Sequence, residues 1–242
     1  SNLSLDFLKN NNSKINDFTI VAIGGGSVLD FAKILHWLCC YHYDLKIENI
    51  FDFQFINKFE EINQKSCNDF FVIPTTTGTG SESTPFSTIW DFNKNKKLSF
   101  KSNNLDYKVF YNTSILSLQP MSLLIASIFD SLSHSLESIW NINSNDLSRY
   151  FSLRAIKIII PVLKKIEANK KLKDDDFYNL SLATFFSGNS ISMTETALCH
   201  SMSYPITLKY KLSHGLSVGF LLPAVMDFNK NKFKSEFDSI LS

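Results

Sequence analysis

The 242-residue chain is short of cysteine, and none of its four, Cys39, Cys40, Cys67 and Cys199, forms a C-x-x-C pair. That spacing excludes a zinc knuckle and offers no disulfide framework, so reduced thiols in a cytoplasmic protein are expected. No apolar run reaches the roughly 18 residues that a membrane-spanning helix needs. The opening SNLSLDF lacks the basic stretch and apolar core of a secretory signal. It also lacks an initiating Met, so a cut chain or a tag remnant is expected at this end. Charge of one sign is missing too: 24 Lys and Arg stand against 23 Asp and Glu, a net of +1. Without a basic stripe or a basic amphipathic helix, neither nucleic acid nor a membrane surface is expected as a partner. No internal repeat or low-complexity tract is visible. What remains, 44% hydrophobic with 19% charged residues, is the composition of a globular protein of one or two domains.

Leu3 to Asn10 reads as the end of a short helix. Phe18 to Ile23, FTIVAI, is an apolar, β-branched run of strand length, the pattern of a strand buried on both faces. GGGS follows, and then VLDFAKILHWL with helical periodicity. Residues 41–69 are polar and irregular. DFFVI, Asp69 to Ile73, is a second buried-strand candidate, ended by Pro74 and followed by the hydroxyl- and glycine-rich TTTGTGSE. Residues 85–91 and 96–101 resemble a hairpin around Asn93-Lys94-Asn95, and Lys108 to Tyr111 a short further strand. From about residue 114 glycine nearly vanishes. Helical patterns then succeed one another at 120–141, 146–168, 174–192, 195–210 and 214–228. The expected division is an α/β domain over 1–113 and a helical domain over 114–242.

Two loops and two helix pairs carry the chemistry. Three glycines between a strand and a helix let the backbone come close to a diphosphate, and Ser27 can donate a hydroxyl at the helix N-terminus. GGGS is not G-x-G-x-x-G, and taken alone it is equally a tight turn. PTTTGTGSE suits a ribose, a phosphate or an amide, and taken alone is equally a polar loop. Two such loops at the ends of successive strands lie on the same edge of a parallel sheet, where open α/β sheets bind nucleotides. Asp130 and His134 stand at i and i+4 on one helix face. His200 and His214 head two later apolar runs, with Gly215 directly after the second. Singly, each is better read as a satisfied core residue; a neighbouring serine could stabilise Asp130 as well as a metal could. One carboxylate and three imidazoles together make a complete ligand set for a divalent cation. His36 and His42 are assigned no role.

GGGSVLDFAK, PTTTGTGSE, DSLSHSLES and HSMSYPITLKYKLSHG resemble, in order and spacing, the signature segments of the iron-containing (group III) alcohol dehydrogenases. The resemblance covers nearly everything from Phe18 onward. It implies a dehydroquinate-synthase-like fold: an N-terminal nucleotide-binding α/β domain and a C-terminal helical metal-binding domain, both partial here. It implies a cytoplasmic oxidoreductase that interconverts a primary alcohol and an aldehyde with NAD or NADP and Fe(2+), Zn(2+) being the alternative ion. Carried over, Asp130, His134, His200 and His214 would hold the metal. Gly25, Gly26 and Ser27 would hold the cofactor diphosphate, with Asp30 nearby on the same turn. Thr75, Thr76, Gly78, Thr79 and Ser81 would line its ribose and nicotinamide, and Lys97 resembles the lysine that reaches the ribose.

The chain departs from the family pattern at Tyr204, where members commonly carry a histidine near the substrate's proton path, and Tyr204 is the catalytic candidate. Asn112-Thr113 stands where the family has Asp-Pro. SYPIT and SIWNINS are closer to the phosphonoacetaldehyde-reductase-like branch, which implies a small anionic, phosphonate-like aldehyde. The family's opening strand and its closing helices are expected outside this sequence, leaving an unpaired sheet side and exposed apolar surface that favour a homo-oligomer. A non-catalytic remnant that binds metal or oligomerises, and a related glycerol-phosphate dehydrogenase, are the other readings. A cyclising lyase is disfavoured by the Asp130/His134 pair.

Overall fold

In the computed structural model, residues 19–40, 69–91, 96–101, 106–235 and 238 are described. The expected helix end at 3–10, the irregular stretch 41–68, the turn at 93–95 and His42 lie outside them. Among the described residues, β1 (Ile20–Gly24) leads into α1 (Gly26–Cys40) and β2 (Phe70–Pro74) follows. Next come β3 (Phe86–Asp91), β4 (Lys96–Lys101) and β5 (Lys108–Val109). The helices after them are α2 (Thr113–Leu116), α3 (Met121–Trp140), α4 (Asp146–Glu167), α5 (Asp174–Thr194), α6 (Leu198–Tyr210) and α7 (His214–Asn229). No described helix is long and apolar enough to cross a membrane.

The chain divides into two compact units. One holds the strands and α1, apart from the loop tips Gly24–Gly26 and Pro74–Thr84. The other takes those two tips together with everything from Tyr111 onward. In the first, the sheet order is β1-β2-β5, and β2 runs parallel to β5 with Phe71 opposite Lys108 and Val72 opposite Val109. Ala22, Leu29, Ala32, Phe70 and Val72 form its core. β3 and β4 pair antiparallel as the expected hairpin, Ser87 facing Phe100.

β1 departs from expectation. It buries one face only: Val21 and Ile23 are 53% and 57% exposed, whereas Ala22 is buried. β-branched residues fit a pleated backbone whether or not their face is covered, so apolar composition alone did not separate the two cases. The last strand candidate, Lys108 to Tyr111, is also shorter than expected, although Phe110 N–H still donates to the Val72 carbonyl at 2.8 Å.

In the second unit α3 is the central element, packed against α4, α5, α6 and α7. Leu124, Ile128, Leu132, Leu136 and Ile139 run along it at helical spacing into a core shared with Ile156, Ile159, Leu180, Val218 and Leu222. Beyond the exposed first turn the helix is buried on every side, and from Asp130 to Trp140 every residue is buried, serines included. Three of the helix's buried serines offset their desolvation by bonding back to their own helix. Ser127 Oγ donates to the Leu123 carbonyl, Ser133 Oγ to Phe129 and Ser135 Oγ to Ser131. Their small size also brings α5 close, with Ser131 and Ser187 hydroxyls 2.7 Å apart. The helix expected over 195–210 begins only at Leu198, because Glu195 takes a positive φ of 63° and breaks the path from α5.

Candidate metal centre and cofactor loops

Asp130 sits in the middle of α3, one turn before His134, while His200 lies in the first turn of α6 and His214 opens α7. One ligand atom from each of Asp130, His200 and His214 falls within a common 4.8 Å. Asp130 Oδ1 is the hub, 3.4 Å from His200 Nε2, 3.7 Å from His134 Nε2 and 3.9 Å from His214 Nε2. His134 lies beside this group of three, its ring stacked on that of His200 at 4.7 Å. Close approach of the helices makes this possible. A Cβ on Gly215 would come within 2.0 Å of the Ala126 carbonyl oxygen on α3, so only glycine lets α7 bring His214 in.

Burial alone would raise the Asp130 carboxyl pKa, but the facing imidazoles of His134, His200 and His214 outweigh it and hold the group well below the carboxylate range. His200 is disfavoured as a cation by burial, yet Asp130 and Glu137 push its pKa up. Asp130 Oδ1 and His200 Nε2 are nevertheless buried without a hydrogen-bond partner among the described residues. Each such orphan costs about 1–3 kcal/mol. A cation between them would satisfy both, and a carboxylate with imidazoles is a donor set for Fe, Zn or other divalent transition ions. The residues fit a metal.

Two flanking residues went unnoticed in the sequence. Glu137, fully buried one turn beyond His134, receives the Nδ1 side of His200 at 2.5 Å on Oε2. The same carboxylate accepts the backbone N–H groups of Ala197 at 3.0 Å, of His200 at 3.4 Å and of Cys199. Burial raises the Glu137 pKa; the His200 bond and the Ala197 and Cys199 amides reverse that and lower it. Ser203 donates to the His200 carbonyl at 2.7 Å and stands 3.4 Å from His214 Nδ1. The available signal was spacing, since Glu137 is seven residues after Asp130 and Ser203 three after His200. Cys199 is neither ligand nor nucleophile material: burial and Glu137 push its thiol up to about 12.

The loops meet as expected from a shared sheet edge. Thr75 N–H donates to the Gly24 carbonyl at 2.9 Å. Gly25 faces Thr76, where a Cβ would find Oγ1 at 3.1 Å, and Gly26 faces Thr79 at 3.0 Å. Gly78, at φ 122°, lies against α3 so tightly that a Cβ would sit 1.8 Å from the Ser127 carbonyl oxygen, three residues before Asp130. Ser81 N–H reaches Thr79 Oγ1 at 3.4 Å. Ser27 is exposed as the second residue of α1. Asp30 and Lys97 belong to the sheet-bearing unit. Asp30 Oδ2 accepts Thr88 N–H at 2.8 Å and its Oδ1 lies 3.4 Å from buried Lys33, while Lys97 is half-buried on β4. Tyr204 stacks on His214 at 6.1 Å. His36 stacks on Phe70 in the sheet core at 4.8 Å, a packing role.

The family profile described as "Iron-containing alcohol dehydrogenase" matches residues 6–109, and "Fe-containing alcohol dehydrogenase family, C-terminal" matches 124–242. A phosphonoacetaldehyde reductase of Streptomyces viridochromogenes is 30% identical over 164 residues, 65% of this chain and 40% of that one. The crystal structure of an iron-containing alcohol dehydrogenase from Thermotoga maritima superposes with a TM-score of 0.78 at 28% identity, covering 98% of this chain and 63% of that one. The fold is also that of a sulfoacetaldehyde reductase from Bifidobacterium kashiwanohense solved with NAD+, with a TM-score of 0.77 at 21% identity over 94% of this chain and 57% of that one. The chain thus spans between 40% and 63% of these relatives' lengths. With both halves matched in order, the chain belongs to the iron-containing alcohol dehydrogenase family.

Proposed function

We propose that the chain carries the metal- and cofactor-binding parts of an NAD(P)-dependent oxidoreductase that interconverts a primary alcohol and an aldehyde. The observation that carries this is the convergence of Asp130, His200 and His214 within 4.8 Å around two unpartnered buried atoms. In this reading residues 1–113 serve the cofactor and 114–242 the metal. Asp130, His134, His200 and His214 hold the ion. Gly25 and Gly26 let backbone N–H groups reach a diphosphate, with Ser27 and Asp30 on the same helix start. Thr75, Thr76, Thr79 and Ser81 line the nicotinamide side, and Gly78 lets that loop run beside α3. Lys97 reaches the ribose.

When bound, the metal polarises the substrate oxygen and the nicotinamide supplies or accepts the hydride. The protein's own part is to orient and to move a proton. Glu137 and Ser203 set the imidazole rings, and Tyr204, stacked on His214, holds a hydroxyl for the substrate oxygen's proton. The substrate proposed is a short aldehyde with an anionic, phosphonate-like end. It rests on the Streptomyces relative and on SYPIT and SIWNINS in this chain. A cytoplasmic homo-oligomer is part of the same proposal.

The test is direct. Purified protein should bind one Fe(2+) or Zn(2+) per chain and consume NADH or NADPH with phosphonoacetaldehyde faster than with acetaldehyde. Metal bound without any nicotinamide binding would overturn the oxidoreductase reading in favour of a metal-binding remnant.

A further inference from the structure

We infer that Glu137 is the positioning residue of the metal centre: its carboxylate fixes which nitrogen of His200 faces the metal and ties that choice to the N-terminus of α6. The inference rests on the proposed metal centre, and it stands on geometry. One side chain, fully buried, carries four donors on two oxygens. Three are backbone N–H groups, of Ala197, Cys199 and His200, at the start of α6, where helix amides have no partner of their own. Ala197 supplies no side-chain cap there. The fourth is His200 Nδ1 at 2.5 Å.

A carboxylate can only accept. Every donor pointed at it must therefore carry a hydrogen, and Nδ1 of His200 is held protonated. In the neutral ring Nε2, the nitrogen facing Asp130 Oδ1 at 3.4 Å, is thereby left as the lone-pair side. The ring cannot turn over without breaking the Glu137 bond, and α6 cannot slide along α3 without breaking the amide bonds to the same carboxylate. Glu195, just before, holds the chain at φ 63° and ψ 176°, a region that a non-glycine residue enters only where its surroundings compel it. The amides that Glu137 grips follow directly after that turn.

Glu137→Gln tests this with little change of volume. An amide offers one acceptor and one NH2 donor. Whichever way it is flipped, the donor meets either backbone N–H groups or the His200 ring. In the second case Nδ1 accepts and Nε2 takes the hydrogen, which blocks it as a ligand. The expected result, titrating Co(II) against a chelator, is an affinity lower by about 10- to 100-fold with a changed ligand-field spectrum. Amide hydrogen exchange at Cys199 and His200 should also become faster. Glu137→Gln with wild-type Co(II) affinity and spectrum, whatever its melting temperature, would reduce Glu137 to a helix cap and overturn the inference alone. Wild-type protein that binds no Co(II) would overturn the metal centre and this inference with it. Should the variant not fold, 15N imidazole spectra of Zn(2+)-loaded wild-type protein decide: a slowly exchanging Nδ1–H on His200 supports the inference, and a bare Nδ1 overturns it.

Discussion

Gly215 has room for a hydrogen and nothing larger. Its missing Cβ would sit 2.0 Å from the Ala126 carbonyl oxygen and 3.2 Å from Asp130 Cβ, both parts of α3 that cannot yield without moving the site. Gly215→Ala should therefore lower unfolding stability by about 1–3 kcal/mol in urea titration and reduce metal uptake with it. Tyr204 is a different case, because Phe would keep the ring stack on His214 and lose only the hydroxyl. Tyr204→Phe should bind metal as the wild type does while turnover falls by about 10²–10⁴-fold, the range of a lost proton donor. Unchanged turnover would remove Tyr204 from the proton path. Legibility at this scale was uneven. The four ligand candidates were visible because Asp and His are rare in apolar helices. Glu137 was hidden among serines on the half of α3 that is buried all round, and Ser203 because a serine carries no sign of its partner. Asp30 was read by its place on a helix start, and the structure binds it to Thr88 and Lys33 instead of leaving it unengaged.

Individual helices were the most legible elements. The expectation of 146–168 meets an observed Asp146–Glu167, and 214–228 meets His214–Asn229. Start signals account for the accuracy at α4, where Asn145 and Ser148 form a reciprocal cap at 3.0 Å in both directions. At α6 the break came from backbone geometry at Glu195, which periodicity does not register. β1 misled for a related reason, since it is apolar on a face that remains exposed. α5 carries its own pH dependence. Burial would raise the Asp176 pKa, but Lys165 at 2.5 Å and the Lys173 N–H at 2.9 Å lower it. A carboxyl whose folded pKa lies below its unfolded one, about 3.9 for Asp, stabilises fully above the unfolded value and less as pH falls through the folded one. Asp176→Asn should therefore be less stable than wild type at neutral pH, with the difference closing below about pH 4. Thermal melts at both pH values check this, and a gap that persists in acid would show that charge is not its source.

In the helical unit three helices meet at one carboxylate, that of Asp130. Metal should raise the melting temperature by linkage, worth about 2.7 kcal/mol when free ion is 100 times its dissociation constant. Chelation should reverse the gain, and an unchanged melting temperature would mean that the cluster holds no ion. The α/β and helical classes could be read in advance because periodicity switches near residue 114. Membership of the loop tips in the helical unit could not, since it depends on contacts far apart in the chain. Those contacts also govern how the protein is made. A Cβ on Gly80 would meet Gly188 Cα at 2.9 Å, and Ser192 Oγ donates to the Ser83 carbonyl at 2.8 Å, 109 residues away. On the ribosome the threonine-glycine loop emerges long before its docking surface exists. Docking of that loop must wait for α5, and such sequence-distant contacts should form late in refolding.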